Sequence, residues 1–251
     1  MIARMVLALG LLLPLQVWAS PSSPVHWADL TGPQLQVAIE QGYTQVILPT
    51  AGIEHNGPDL PLDKHKHIVS KAAEELATRL GKTLVAPVIE FVPEGDISTR
   101  SGHMGLTGTI SARPETFEAL LRDTIESLLA HGITSVIMIG DSAGNQVGQA
   151  RVAKALQARH PDVQILHCGF YYNNPWQAQW LARRRLSSPG AFDHAGFADQ
   201  AEYAFVSKTG PTPIQALGAG LLEIKVQAAM YDLNRRGLKG RSTIDRLRDN
   251  R

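Results

Sequence analysis

Four short aliphatic runs recur along this 251-residue chain: Val46–Leu48, Leu84–Val88, Val136–Ile139 and Val163–Leu166, each bounded by turn residues. Runs of that length, rich in Val, Ile and Leu, read as strands buried on both faces. Between them, Ile68–Leu80, Pro114–Ala130 and Val147–Ala158 place apolar residues three and four apart, the period of an amphipathic helix. The alternation specifies βαβ units. An α/β fold is therefore expected: a three-layer α/β/α sandwich with a mostly parallel central sheet, whose active loops lie at the carboxyl ends of the strands. Thr31-Gly32-Pro33 supplies the cap and first turn of another helix ending before Gly42. Ile214–Arg236 reads as a long C-terminal helix with Leu217, Leu221, Ile224, Val226 and Ala228 on its apolar face.

Residues 1–19 have the layout of a secretory signal, with Arg4 at the start, Val6 to Leu15 as the apolar centre and Val17-Trp18-Ala19 as the cleavage site. The apolar run is too short to span a bilayer, so no stable membrane insertion is expected after its removal, and the protein is expected to be periplasmic or secreted. Residues 20–251 are then one domain, 44% of the whole chain being apolar and 19% charged. Without Arg4, 23 basic residues face 23 acidic ones, and the basic C-terminal stretch is interleaved by Asp245 and Asp249. That balance argues against a nucleic-acid partner. Cys168 is the single cysteine, so no internal disulfide exists and stability rests on the core.

Chemistry concentrates in the loop after the first run, where Glu54, His55, Asn56, Asp59, Asp63, His65 and His67 crowd among Gly and Pro. Such a loop presents oxygen and nitrogen donors at the edge of a sheet, and these are donors of the types that hold a divalent metal.

Glu54, Gly57, Pro58, Leu60, Pro61 and Leu62 match the signature Glu-Gln-His-Gly-Pro-His-Leu-Pro-Leu followed by an Asp. The loop thereby resembles that of the creatininase family of amidohydrolases. Further segments are similar in order and spacing: Ser101–Ser111 to Glu-His-x-x-Phe-Pro-Gly-Thr-Ile-Ser, His131-Gly132-Ile133 to His-Gly-Phe, Gly140–Asn145 to Asn-Gly-His-Gly-Gly-Asn, and His194-Ala195-Gly196 with Asp199 to His-Ala-Gly-x-x-Glu. The resemblance implies a metal-dependent amidohydrolase, cleaving a C–N bond in a small amide or cyclic amide, and a homo-oligomer. It also implies two divalent ions, but of the five ligand positions only Glu54 is kept; Asn56, His65, Ser142 and Gly144 occupy the others. Asn offers a neutral oxygen and His cannot bridge two cations as a carboxylate does. The expected site is thus one zinc or manganese ion held by a set drawn from Glu54, Asn56, His65, His103 and Asp141, or a site that has lost its metal. His194, oriented by Asp199 or Asp193, is expected to carry the proton to the leaving nitrogen.

Two other readings stay open on the sequence. Gly140-Asp141-Ser142-Ala143-Gly144 is a Gly-x-Ser-x-Gly pattern between a strand and a helix, which would make Ser142 a hydrolase nucleophile. A creatininase-like domain stripped of its ligands would instead bind a solute or a partner. Tyr171 to Arg185, with Tyr172, Trp176 and Trp180, reads as a lid, an interface helix or simple packing.

Overall fold

A computed structural model describes residues 25–186 and 195–238. The leader at residues 1–19, together with Asp193 and His194, lies outside the described residues. Five strands, β1 (Val25–His26), β2 (Gln45–Thr50), β3 (Thr83–Val85), β4 (Ser135–Gly140) and β5 (Gln164–His167), form one sheet in the order β1-β3-β2-β4-β5. Every neighbouring pair is parallel. The expected sheet is there. β1 adds an edge strand of two residues, too short to leave a periodic signal.

Among the described residues seven α-helices accompany the strands: α1 (Gly32–Glu40), α2 (Lys64–Leu80), α3 (Pro114–Ala130), α4 (Ala143–Arg159), α5 (Trp176–Arg183), α6 (Phe197–Ser207) and α7 (Thr212–Arg235). Period-two alternation along each strand sorts the core into two sides. Ile47, Val85, Ile137 and Ile139 pack with Ile68, Ala72 and Leu76 of α2 and Leu222, Val226 and Ala229 of α7. On the opposite face Val46, Leu48, Leu84, Val136 and Met138 pack with Phe117, Leu121 and Ile125 of α3 and Val152 and Leu156 of α4. Each fully buried Leu, Ile or Phe contributes about 1.5–3 kcal/mol, which is why uniform aliphatic runs, rather than alternating ones, encode these strands. α6 and α5 gather on α7 around a smaller cluster of Leu181, Ala198, Ala201 and Leu221.

The strand order locates the functional edge. From β2 the chain moves outward to β3, then returns across the sheet to β4 and continues to β5. The direction reverses between β2 and β4, and loops leaving two such strands part to opposite faces and open a crevice at their carboxyl ends. A polar tie holds that edge together: the buried Thr50 Oγ1 accepts from Asn145 Nδ2 at 2.7 Å and from Gln149 Nε2 at 2.8 Å, joining the end of β2 to α4.

Candidate active site

Three loops meet over the crevice. After β2, Asn56 Nδ2 donates to the carbonyls of Glu54 (3.0 Å), Pro61 (2.8 Å) and Leu62 (3.3 Å), folding the loop back so that Glu54 is buried. His65 joins it from the first turn of α2. After β4, Asp141 and Ser142 precede α4. The third loop runs from β3 towards α3 and brings Glu94 and His103, tied to one another by the bond from His103 N to Glu94 O at 2.9 Å.

Two glycines let this third loop in. A Cβ at Gly144 would overlap the Pro93 carbonyl oxygen, and one at Gly52 would overlap the Glu94 carboxylate. The absence of a side chain at Gly144 thus makes room for the backbone that carries Glu94.

Glu54, Glu94 and His103 each offer a ligand atom within 4.8 Å of the others. Glu54 Oε2 pairs with His103 Nδ1, and Glu94 Oε2 lies 3.4 Å from the same nitrogen. The second oxygen of each acid is anchored behind: His65 Nε2 meets Glu54 Oε1 at 2.7 Å, and Ser142 Oγ donates to Glu94 Oε1 at 2.7 Å. Burial opposes ionisation of Glu54, but the bond and charge of His65 outweigh it and bring the carboxyl down to about 2. Glu94 is pushed up to about 8 by burial and then by repulsion from Glu54. Two buried carboxyls that repel each other, with an imidazole beside them, form a donor set suited to a divalent cation, which would replace the proton they share.

The other wall has its own cations. Burial opposes charge on His65 as well, yet its bonds to Asp141 Oδ2 (3.1 Å) and Glu54 raise it to about 9, so both ring nitrogens donate. Asp141 Oδ1 accepts from Lys225 Nζ at 2.8 Å and from Tyr171 Oη at 3.1 Å. Burial would raise Asp141, but Lys225 and His65 hold it well below the usual carboxylate range. Lys225 Nζ also donates to Glu202 Oε2 at 2.8 Å, and Glu202 takes a second bond from Gln177. Lys64, fully buried at the start of α2, pairs with Asp199 in the first turn of α6. A cation is disfavoured at a helix N-terminus, so Asp199 offsets both burial and dipole there. Lys64, His65, Asp141, Tyr172, Asp199 and Lys225 line one cavity with Glu54, Glu94 and His103, of about 450 Å3, a size suited to a small molecule.

The crevice thus brings Glu54, His65, His103, Asp141, Ser142 and Asp199 together, while it places Asn56 elsewhere. Asn56 braces the loop through its amide nitrogen, committed to three carbonyls, while its Oδ1, the atom expected as a ligand, is buried with no hydrogen-bond partner among the described residues. His65 and Asp141 also differ from the expected ligand set, because each commits its polar atoms to the other and to Glu54, Tyr171 or Lys225. Asp199 accepts from Ala195 N (3.1 Å) and binds Lys64, rather than reading only as a brace for His194. Ser142 has extended backbone (φ −142°, ψ 150°), not the strained turn of a nucleophile elbow, and its hydroxyl is committed to Glu94. Glu94, Lys64 and Lys225 escaped the sequence reading. A signal existed for Glu94 alone, in Pro93-Glu94-Gly95, a turn that follows the β3 run as the Glu54 loop follows β2.

The model of the creatinine amidohydrolase (creatininase) family matches residues 28–209. The chain belongs to the creatininase family. Solved creatininases share its fold: one described as "Creatininase Mn" superposes with a TM-score of 0.69 at 16% identity, covering 85% of this chain and 98% of that one. A mutant creatininase described as "Zn-Zn type" gives 0.67 at 17% identity with the same coverage. A putative creatinine amidohydrolase from Bacteroides fragilis gives 0.56 at 18%, covering 83% and 93%. A search of the curated proteins finds no match.

Proposed function

We propose that this creatininase-family protein is a metal-dependent amidohydrolase that cleaves a C–N bond in a small amide or cyclic amide, with one divalent ion, zinc or manganese, held by Glu54, Glu94 and His103. One observation carries the reading: two buried carboxylates and an imidazole converge on one point of the cavity wall, each acid anchored through its other oxygen. Anchoring of that kind fixes ligand direction. Relatives described with Mn and with Zn support the choice of ions.

When bound, the ion would polarise the amide carbonyl and lower the pKa of a water molecule. The protein's own groups do the rest. His65, held from behind by Asp141, keeps Glu54 ionised; Ser142 steadies Glu94. Lys64, fixed by Asp199 at the cavity wall, is positioned to hold the negative charge that develops on the carbonyl oxygen. His194, adjacent in sequence to Ala195, is assigned the proton delivered to the leaving nitrogen.

Elemental analysis of the purified protein, paired with hydrolysis of a panel of small linear and cyclic amides, tests this. Glu54→Ala and Glu94→Gln should lose metal and turnover together, whereas His194→Ala should lose turnover and keep the metal. Metal retained in both acid variants would refute the ligand set. A fluorophosphonate that labels Ser142 with loss of activity would move the chemistry to the serine.

The same reading includes export, on the residues 1–19 pattern, and self-association. Cell fractionation and native mass measurement test those two parts.

A further inference from the structure

Lys225 is a lysine inside the protein, on the face of α7 that packs against the sheet, among Leu221, Leu222, Ile224 and Val226, which are buried as it is. A lone ammonium is costly in such a place, where Leu or Met would fill the same space without a desolvated charge. Here the ammonium is caged by oxygens: Asp141 Oδ1 at 2.8 Å, Glu202 Oε2 at 2.8 Å, and the Tyr171 ring 5.7 Å away, with Tyr171 Oη bonded to the same Asp141 oxygen. Two buried carboxylates and a phenol, of which Asp141 lines the crevice together with Lys225 while Glu202 and Tyr171 lie outside its lining, are the kind of hard oxygen set that takes a divalent cation when no internal one is supplied.

We infer that the Lys225 ammonium is a built-in cation: it fills the oxygen cage of Asp141, Glu202 and Tyr171, and so limits this crevice to a single exchangeable metal ion. The count of one ion rests on the ligand set proposed above; the substitution of an ammonium for a cation at Asp141 does not. Geometry explains why the two cannot coexist. Asp141 Oδ1 accepts from both Lys225 and Tyr171, which fills its two lone-pair sites, while Oδ2 accepts from His65. A metal ion could bind between Asp141 Oδ1 and Glu202 Oε2 only by displacing Lys225. Position 225 thereby decides how many ions the site holds, a property that belongs to α7, remote in sequence from every loop that bears the metal-binding donors.

The test is to count bound Mn2+ by electron paramagnetic resonance after equilibrium dialysis, in the wild type, Lys225→Ala, Lys225→Arg, Glu94→Gln and the Lys225→Ala/Glu94→Gln double variant. The expected result is one ion in the wild type and in Lys225→Arg, a second in Lys225→Ala, none in Glu94→Gln, and one in the double variant. Methylammonium should compete with the second ion and leave the first in place. A wild type that binds two ions, or a folded Lys225→Ala that binds no more than the wild type, overturns the inference. Should Lys225→Ala be recovered unfolded, restoration of its near-ultraviolet circular dichroism by Mn2+ or methylammonium supports it, and failure of both overturns it. A wild type without any bound Mn2+ would refute the Glu54–Glu94–His103 ligand set instead, while a gain of one ion in Lys225→Ala would still uphold the role of Lys225.

Discussion

The two walls of the crevice solve the same electrostatic problem in different ways. Both bury a pair of acids, Glu54 with Glu94 on one side and Asp141 with Glu202 on the other. On the second wall the compensating charge is covalently attached: Lys225 lies between the two carboxylates and His65 bonds the far oxygen of Asp141. On the first wall the two acids face one another, Glu94 is raised to about 8, and charge balance depends on His65 and an exchangeable proton. A wall neutralised from within is structural, whereas a wall neutralised by something exchangeable can bind. On the ligand set proposed above, the difference puts metal binding on one side and positioning on the other, although both carry donors of the same chemical types.

The sharpest way to break this comparison is to remove the internal cation. Lys225→Met keeps most of the side-chain volume but leaves Glu202 buried without a counter-charge and Asp141 with His65 alone, which should cost about 3–5 kcal/mol in urea unfolding of the metal-free protein. Neutralising all three positions together, by combining Lys225→Met, Asp141→Asn and Glu202→Gln in one chain, should return most of that loss, because a well-packed neutral set needs no ion pair. If the triple variant is as unstable as Lys225→Met, the cost lies in packing and the contrast between the walls fails.

The opposite wall should respond in the opposite way. Glu94, raised to about 8, is largely protonated near neutral pH, so Glu94→Gln puts a neutral donor in place of a neutral acid and the metal-free protein should be about as stable as the wild type. Its affinity for Mn2+ or Zn2+ should nonetheless fall by roughly 100-fold or more, read by competition with a chelating dye. A loss of stability without a loss of metal affinity would reverse the roles assigned to the two walls.

The sheet, its parallel sense and helices α2, α3, α4 and α7 were legible because hydrophobic period reports local structure directly, and α1 through its Thr31-Gly32-Pro33 start, whereas the aromatic segment that holds α5 left its role open: Pro114–Ala130 coincides with α3, and the other runs coincide with strands and helices to within a few residues. α6 is the helix without a periodic signal, its described span beginning only at Phe197. The loop after β2 was legible as a site because its donors are crowded in sequence. Glu94 was not, since its meaning comes from a position in space created by the absence of side chains at Gly52 and Gly144, both far from it in the chain. Lys225 was harder still. Written on an apolar helix face, a lysine looks like an interruption of the pattern, and only the fold reveals that Asp141 and Glu202 stand opposite it.

The glycines sharpen the comparison more gently. Gly144→Ala improves intrinsic helix propensity at the start of α4, yet the new methyl group meets the Pro93 carbonyl, a backbone atom that cannot swing aside. Overpacking of this kind costs about 1–3 kcal/mol. Because Pro93 precedes Glu94, the same change should also weaken metal binding, while leaving the Lys225 wall intact. Gly52→Ala approaches the Glu94 carboxylate from the other side and should have the same two effects. An alanine at either position that unfolds normally and binds metal normally would show that the loop carrying Glu94 is not held against β2 and α4.

The smallest effect comes from the turn that carries Asp141 and Ser142. Gln146 Nε2 donates to the carbonyls of Gly140 and Ser142, both at 2.9 Å, so its Oε1 must accept, and His167 Nε2 supplies that bond at 3.0 Å. His167 is therefore the tautomer protonated at Nε2. Burial, with the Arg236 charge next, holds the ring at about 4, below its ordinary value of 6.5. As pH falls from 6.5 towards 4, the unfolded chain takes up a proton at this ring and the native protein does not, so native stability declines across that window and is complete above it. Partial exposure of the ring screens the effect, leaving about 1 kcal/mol. His167→Asn removes the titration, and its urea midpoint should fall less than that of the wild type between pH 7 and pH 4.5. An unchanged slope would place the acid sensitivity elsewhere. A slope that vanishes along with a change in Mn2+ affinity would mean that the β4–α4 turn couples the two walls, and that their separation into a structural and a binding side is incomplete.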